Sequence, residues 1–157
     1  MLRYFLSLVF IFSMTLTAQA KTCYTAGEVE SEQGLRIHSE LMVIGLTCAK
    51  VRGGQSLYSK YQSFTRKNKY LIEEYENTMI RYFKESGASS PAKSLHGLRT
   101  GIANEISQKA IRMNIGAFCN HYKTRIDQAL NMDHDTIRRW ARKTWPSQPT
   151  TRPLCRS

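Results

Sequence analysis

The chain has 157 residues, 23 Lys and Arg against 12 Asp and Glu, and a formal net charge of +11 at neutral pH. That balance favours anionic partners; the apolar run at the N-terminus falls short of the ~20 residues a spanning helix needs, and no later stretch could cross a bilayer. With four cysteines, four histidines and no low-complexity tract or internal repeat, it reads as one ordinary-sized domain.

Residues 1–20 read as a signal peptide: Arg3 precedes an apolar run from Tyr4 to Met14, and Ala18-Gln19-Ala20 supplies a small-residue cleavage pattern. Cleavage there would start the mature chain at Lys21 and remove one positive charge. Export argues against nucleic acid as the physiological partner and leaves envelope lipid, polysaccharide or an acidic protein. An irregular arm from Lys21 to Gly27 should be tied down through Cys23. Glu28 to Glu32 then place negative charge at the start of the first helix, where the macrodipole favours it.

Gly34 to Val51 is the most apolar stretch of the mature chain. At 100° per residue, Ile37, Leu41, Ile44, Cys48 and Val51 form one seam, and Leu35, Met42, Leu46 and Ala49 widen it around the circumference. Only Arg36, Ser39, Glu40, Thr47 and Lys50 mark a narrow polar strip. Such a helix must be wrapped by others, so the pattern predicts an all-α, up-and-down, four-helix-like bundle with this helix at its centre.

Arg52-Gly53-Gly54-Gln55-Ser56 is a helix stop. Beyond it, Leu57, Tyr58, Tyr61, Phe64, Leu71, Tyr75, Met79, Tyr82 and Phe83 carry a second long helix, with Arg66 to Lys69 midway as a kink or, preferably, a solvated face. Gly87 to Pro91 is the clearest break. A third helix follows on Leu95, Leu98, Ile102 and Ile106, loosening after Met113 at Asn114 and Gly116. Phe118, Cys119, Tyr122, Ile126, Ala129 and Leu130 define the fourth. The bundle is taken to span 21–134. Residues 135–157 then form a basic amphipathic helix, Thr136 to Trp145 with Asp133 or Asp135 as cap, and a Pro-rich tail.

All four cysteines lie beyond the leader, in a chain read as exported, so disulfides are expected. If successive helices alternate in direction, Cys48 and Cys119 fall at one end of the bundle and Cys23 and Cys155 near the other. Those are the predicted pairs, each contributing roughly 2–4 kcal/mol. No CxxC, HxxxH or C-x-x-C-H spacing occurs, so neither metal nor haem nor another cofactor is expected.

The blocks Glu40-Leu41-Met42-Val43, Leu46-Thr47-Cys48, Tyr61-x-x-Phe64, Thr100-x-Ile102-Ala103-Asn104-Glu105-x-Ser107 and Phe118-Cys119 resemble, in that order, a family of small exported bacterial helical proteins with no assigned activity. Its members carry similar QTELMVAALTC, YNxFV, TxLANEAS and FC blocks. The resemblance spans roughly Cys23 to Leu130 and implies export and a helical fold. This chain has His38 where the pattern usually has Gln, Thr65 where Val is usual, and a more basic C-terminal extension.

Two groups of residues are candidate sites. His38, Glu40, Thr100, Asn104 and Glu105 could line a polar pocket between the first and third helices, or simply hold those helices together; His38 reads first as a structural core histidine. Its H-x-E string lacks the P-C-x-x-C that deaminase chemistry would need. The segment 136–145 is sharper. Ile137, Trp140, Ala141, Thr144 and Trp145 share one side of a wheel, and Arg138, Arg139, Arg142 and Lys143 the other. Either the apolar side docks on the bundle and the cations are solvated, or Arg138, Arg139, Trp140, Arg142, Lys143 and Trp145 meet an anionic surface. The reading that follows is an exported, non-catalytic binding or structural protein of the envelope, recruited through this helix. The alternative is a small ligand-binding or hydrolytic protein using the polar pocket.

Overall fold

A computed structural model describes residues 21–143, 145 and 148–156; the proposed leader, and Thr144 within the amphipathic segment, lie outside them. The fold is all-α, with seven helices among the described residues: α1 (Ala26–Cys48), α2 (Leu57–Lys67), α3 (Lys69–Glu85), α4 (Pro91–Arg112), α5 (Ile115–Tyr122), α6 (Thr124–Leu130) and α7 (His134–Ala141). None of them is long and apolar enough to cross a membrane.

α1 starts earlier than its charge pattern predicts because Thr25 and Glu28 form a reciprocal cap. Thr25 N–H donates to Glu28 Oε2 (2.8 Å), and Glu28 N–H donates to Thr25 Oγ1 (3.4 Å). The helix is the axis of the molecule, contacting α2, α3, α4, α5, α6 and α7. Residues 28 to 41 are buried without a break. Leu35, Leu41, Ile44 and Cys48 meet the core residues Phe64, Met79, Ile102, Phe118 and Ile126 supplied by the surrounding helices. The expected polar strip is therefore not a solvent-facing edge: Arg36, Ser39 and Glu40 are buried, and later elements bring charged partners to Arg36 and Glu40.

The predicted second and fourth helices are each divided. Asn68, buried, separates α2 from α3; its Nδ2 and its backbone N–H both donate to the Phe64 carbonyl. A side chain competing for backbone acceptors is a recognised cause of helix interruption. The kink, not the uninterrupted solvated face, is the outcome there. Lys123 divides α5 from α6, and Lys67 at the end of α2 caps α6 by donating to the carbonyls of Leu130 (2.7 Å) and Met132 (2.9 Å). Asn114, at φ 67°, folds its Oδ1 onto Gly116 N–H (2.9 Å) and turns the chain between α4 and α5.

α7 is capped by Asp133, whose Oδ1 accepts from Thr136 N–H (2.7 Å), and it ends at Ala141, short of the predicted Trp145. The tail then lies along α1. Thr151 donates to the fully buried Glu32 through its N–H (2.8 Å) and its hydroxyl (2.6 Å), and at a parallel bridge to Leu154 the Tyr24 N–H donates to the Pro153 carbonyl (2.8 Å) while its carbonyl accepts from Cys155 N–H (2.8 Å). Disulfides join Cys23 to Cys155 and Cys48 to Cys119, the two pairs expected.

Gly34 lets α1 pack closely on α3. A Cβ there would overlap the ring of Tyr75, which is buried and donates its hydroxyl to Glu30 (3.4 Å). Helix propensity alone favours alanine by about 1 kcal/mol, whereas overpacking costs about 1–3 kcal/mol. Gly34→Ala should therefore lower stability in urea unfolding. Gly101→Ala, in α4 with open space around it, should raise stability by up to about 1 kcal/mol. A stabilised Gly34→Ala protein would refute this packing of α1 on α3.

Candidate functional site

The amphipathic pattern of α7 places Ile137 and Ala141 against α1, and this contact directs the cations to two flanks instead of one solvated face. On the first flank, Arg138 donates to Glu30 Oε1 (3.0 Å) and Glu74 Oε2 (2.5 Å), and Arg142 donates to Glu30 Oε2 (2.6 Å). These two arginines neutralise a buried carboxylate and are committed to the fold. The expected set of four solvated cations is corrected accordingly. On the other flank, Thr136, Arg139, Trp140 and Lys143 follow the i, i+3, i+4, i+7 stripe of a helix and face a cavity of about 580 Å³.

α1 forms the floor of this cavity with Gln33, Arg36, Ile37 and Glu40. α4 contributes Lys109, α5 Tyr122, and α6 Arg125 and Gln128; Met132 precedes α7, and Trp145 and Gln148 of the tail complete the wall. The tail is held there by Gln33 Nε2, which donates to the Gln148 carbonyl (3.0 Å), and by Arg36 Nη2, which donates to that of Pro149 (3.4 Å).

Five cationic side chains thus line the cavity against one carboxylate, Glu40. Arg125 takes up that carboxylate, its Nη1 donating to both oxygens at 2.7 and 2.8 Å. Arg36 is paired outside, donating to Glu105 Oε2 (2.8 Å) with Glu32 at 3.9 Å, yet its buried Nε has no acceptor among the described residues. Lys109 sits over the Tyr122 ring (4.9 Å), and among the described residues Arg139 donates to Thr136 Oγ1 alone (2.7 Å). Among the described residues, Lys109, Arg139 and Lys143 have no carboxylate within 4 Å. The cavity carries uncompensated positive charge between aromatic walls, an arrangement suited to holding an anion.

The polar group expected between the first and third helices does not assemble. Glu40 faces Arg125 in the cavity; Glu105, exposed on α4, takes Arg36; Thr100 and Asn104 are exposed on α4. His38 points to α2, its Nε2 lying 3.2 Å from Thr65 Oγ1 and 3.1 Å from Tyr61 Oη. The Thr65 hydroxyl already donates to the Tyr61 carbonyl (3.1 Å), so it accepts from Nε2–H, and Nδ1 is left without a partner. The periodicity of α1 sends 38 and 40 to opposite sides, which separates the two residues most suggestive of a site. Sequence reasoning placed Arg139, Trp140, Lys143 and Trp145 together, but it did not find Lys109, Tyr122 or Arg125, which carry no local motif. Among the described residues, no cluster of three or more His, Cys, Asp or Glu side chains is arranged to hold a metal ion.

No protein-family model, curated protein or solved structure matches the chain.

Burial, reinforced by the charge of Arg99, depresses the His38 pKa from 6.5 to about 4. The unfolded chain therefore binds a proton that the fold refuses between those pH values. The contribution of His38 to stability is complete above about pH 6.5 and is lost as pH drops toward 4, about 3 kcal/mol at the acid end. His38→Gln, which keeps an amide able to reach the same hydroxyls, should fold and show a shallower loss of melting temperature from pH 7 to pH 4. Equal acid sensitivity in both proteins would remove His38 as its source.

Proposed function

We propose that the protein is exported and acts as a non-catalytic binding protein of the cell envelope, holding an anionic ligand in the cavity beside α7. The single observation carrying this reading is the charge imbalance of that cavity: five cations, three of them without a carboxylate partner among the described residues, against a Glu40 already taken by Arg125. Uncompensated charge in a concave, partly apolar site raises the local concentration of counter-ions and strengthens their binding over that on a flat surface. The leader-like segment 1–20 and the two disulfides support export. The partners that fit are anionic envelope lipid, polysaccharide or an acidic protein segment.

Recruitment works through one flank of α7 and not through the whole basic helix, because Arg138 and Arg142 are engaged with Glu30. Substituting Lys109, Arg139 and Lys143 with Gln removes no internal ion pair, so the fold and melting temperature should be retained. Retention of that triple variant on phosphatidylglycerol vesicles and peptidoglycan sacculi should fall by roughly tenfold or more relative to the parent protein, and the parent's binding should weaken with added salt. Equal co-sedimentation of both proteins on both supports would defeat the proposal.

A further inference from the structure

The charge and the lining of the cavity together restrict its ligand, and the restriction rests on the reading of that cavity as an anion site. Lys109, Arg139 and Lys143 contribute three positive charges with no carboxylate within 4 Å among the described residues. A single carboxylate would offset one of them. A phosphate monoester carries about −1.5 to −2 at neutral pH and offers three acceptor oxygens, closer to what these groups demand. Arg139 suits it further: a guanidinium engages phosphate through two parallel N–H donors, while lysines act as point charges beside it.

The remainder of the cavity is not built for bare phosphate. Trp140 and Trp145, the only two tryptophans of the chain, both line it, and about 580 Å³ leaves room for a ring beyond the anion. Thr136, Gln128 and Gln148, which carry hydrogen-bonding groups, line the same cavity. Apolar surface flanked by amides and hydroxyls matches a sugar, whose C–H face packs on an aromatic ring and whose hydroxyls need donors and acceptors at its edge. We infer that the cavity binds a phosphorylated sugar, with Lys109, Arg139 and Lys143 on the phosphate and Trp140 and Trp145 against the ring. This chemistry occurs in a free sugar phosphate and in the headgroup of a phosphorylated glycolipid.

The placement of both tryptophans provides the readout. Intrinsic fluorescence of the mature protein should change on titration with glucose 1-phosphate, with affinity at least tenfold higher than for glucuronate, glucose or phenyl phosphate. Arg139→Gln and Lys143→Gln should each weaken glucose 1-phosphate binding severalfold without moving the melting temperature. Trp140→Phe, which keeps an aromatic face, should bind while losing part of the signal. Vesicles of phosphatidylcholine with and without a phosphorylated glycolipid then separate the sources: retention only with the glycolipid assigns a membrane headgroup, and soluble binding without vesicle retention assigns a free sugar phosphate, and either supports the inference. Glucuronate binding as tightly as glucose 1-phosphate overturns the phosphate, and phenyl phosphate binding as tightly overturns the sugar. If no sugar phosphate or glycolipid binds while the parent protein still sediments with anionic supports and the triple variant does not, this inference fails and the anion-site reading stands.

Discussion

The structure depends on a helix buried around its whole circumference that nevertheless carries ionisable groups along its length. α1 takes Glu28, Glu30, Glu32, Arg36, His38 and Glu40 out of water together with Leu35, Leu41 and Ile44. Removing the partner of such a buried charge typically costs about 3–5 kcal/mol, so each group dictates what must stand opposite it. Glu30 requires Arg138 and Arg142, Glu32 requires Thr151, Arg36 requires Glu105, and Glu40 requires Arg125. His38 meets the same demand without charge: it stays neutral, bonded to hydroxyls of α2.

Most of these partners come from the second half of the chain, and their arrangement explains the cavity. Glu30 draws Arg138 and Arg142 to one flank of α7, and Ile137 and Ala141 seat the helix on α1. The opposite flank, with Arg139, Trp140 and Lys143, is then left beside the gap between α7 and α6. The same cationic helix thus performs two tasks. One pair of residues neutralises the core, and the next pair, one position along, carries the charge available to a ligand.

The tail has a comparable double role. Thr151 satisfies Glu32, and Cys155 joins Cys23 beside the bridge between Tyr24 and Leu154, which closes the chain on itself. Because the intervening segment is held by Gln33 and Arg36, Trp145 and Gln148 stand as a wall of the cavity. The disulfide between Cys48 and Cys119 secures the other end of α1 to α5. Both bridges tie α1 or the arm before it to residues more than 70 positions away.

What local physics controls was legible along the chain. The periodicity of residues 34–51 called for a wrapped central helix, Gly87 and Pro91 marked the boundary between α3 and α4, Asp133 or Asp135 was expected to cap α7, and alternating helix direction put Cys48 near Cys119 and Cys23 near Cys155. Each signal lies within a few residues of its effect, or follows from helix direction. The interruption at Asn68 was visible as an ambiguity only, since a polar cluster reads alike as a kink or as a solvated face until its burial is known. Tertiary structure alone decided which charges are spent and which remain. Arg125 meets Glu40 across 85 residues and Arg142 meets Glu30 across 112, while Arg139 and Lys143, also cationic and each adjacent in sequence to a committed arginine, meet no carboxylate among the described residues. Residue type and spacing carry no record of that division, because whether a cation is neutralised depends on the counter-charge that folding brings within a few ångströms of it.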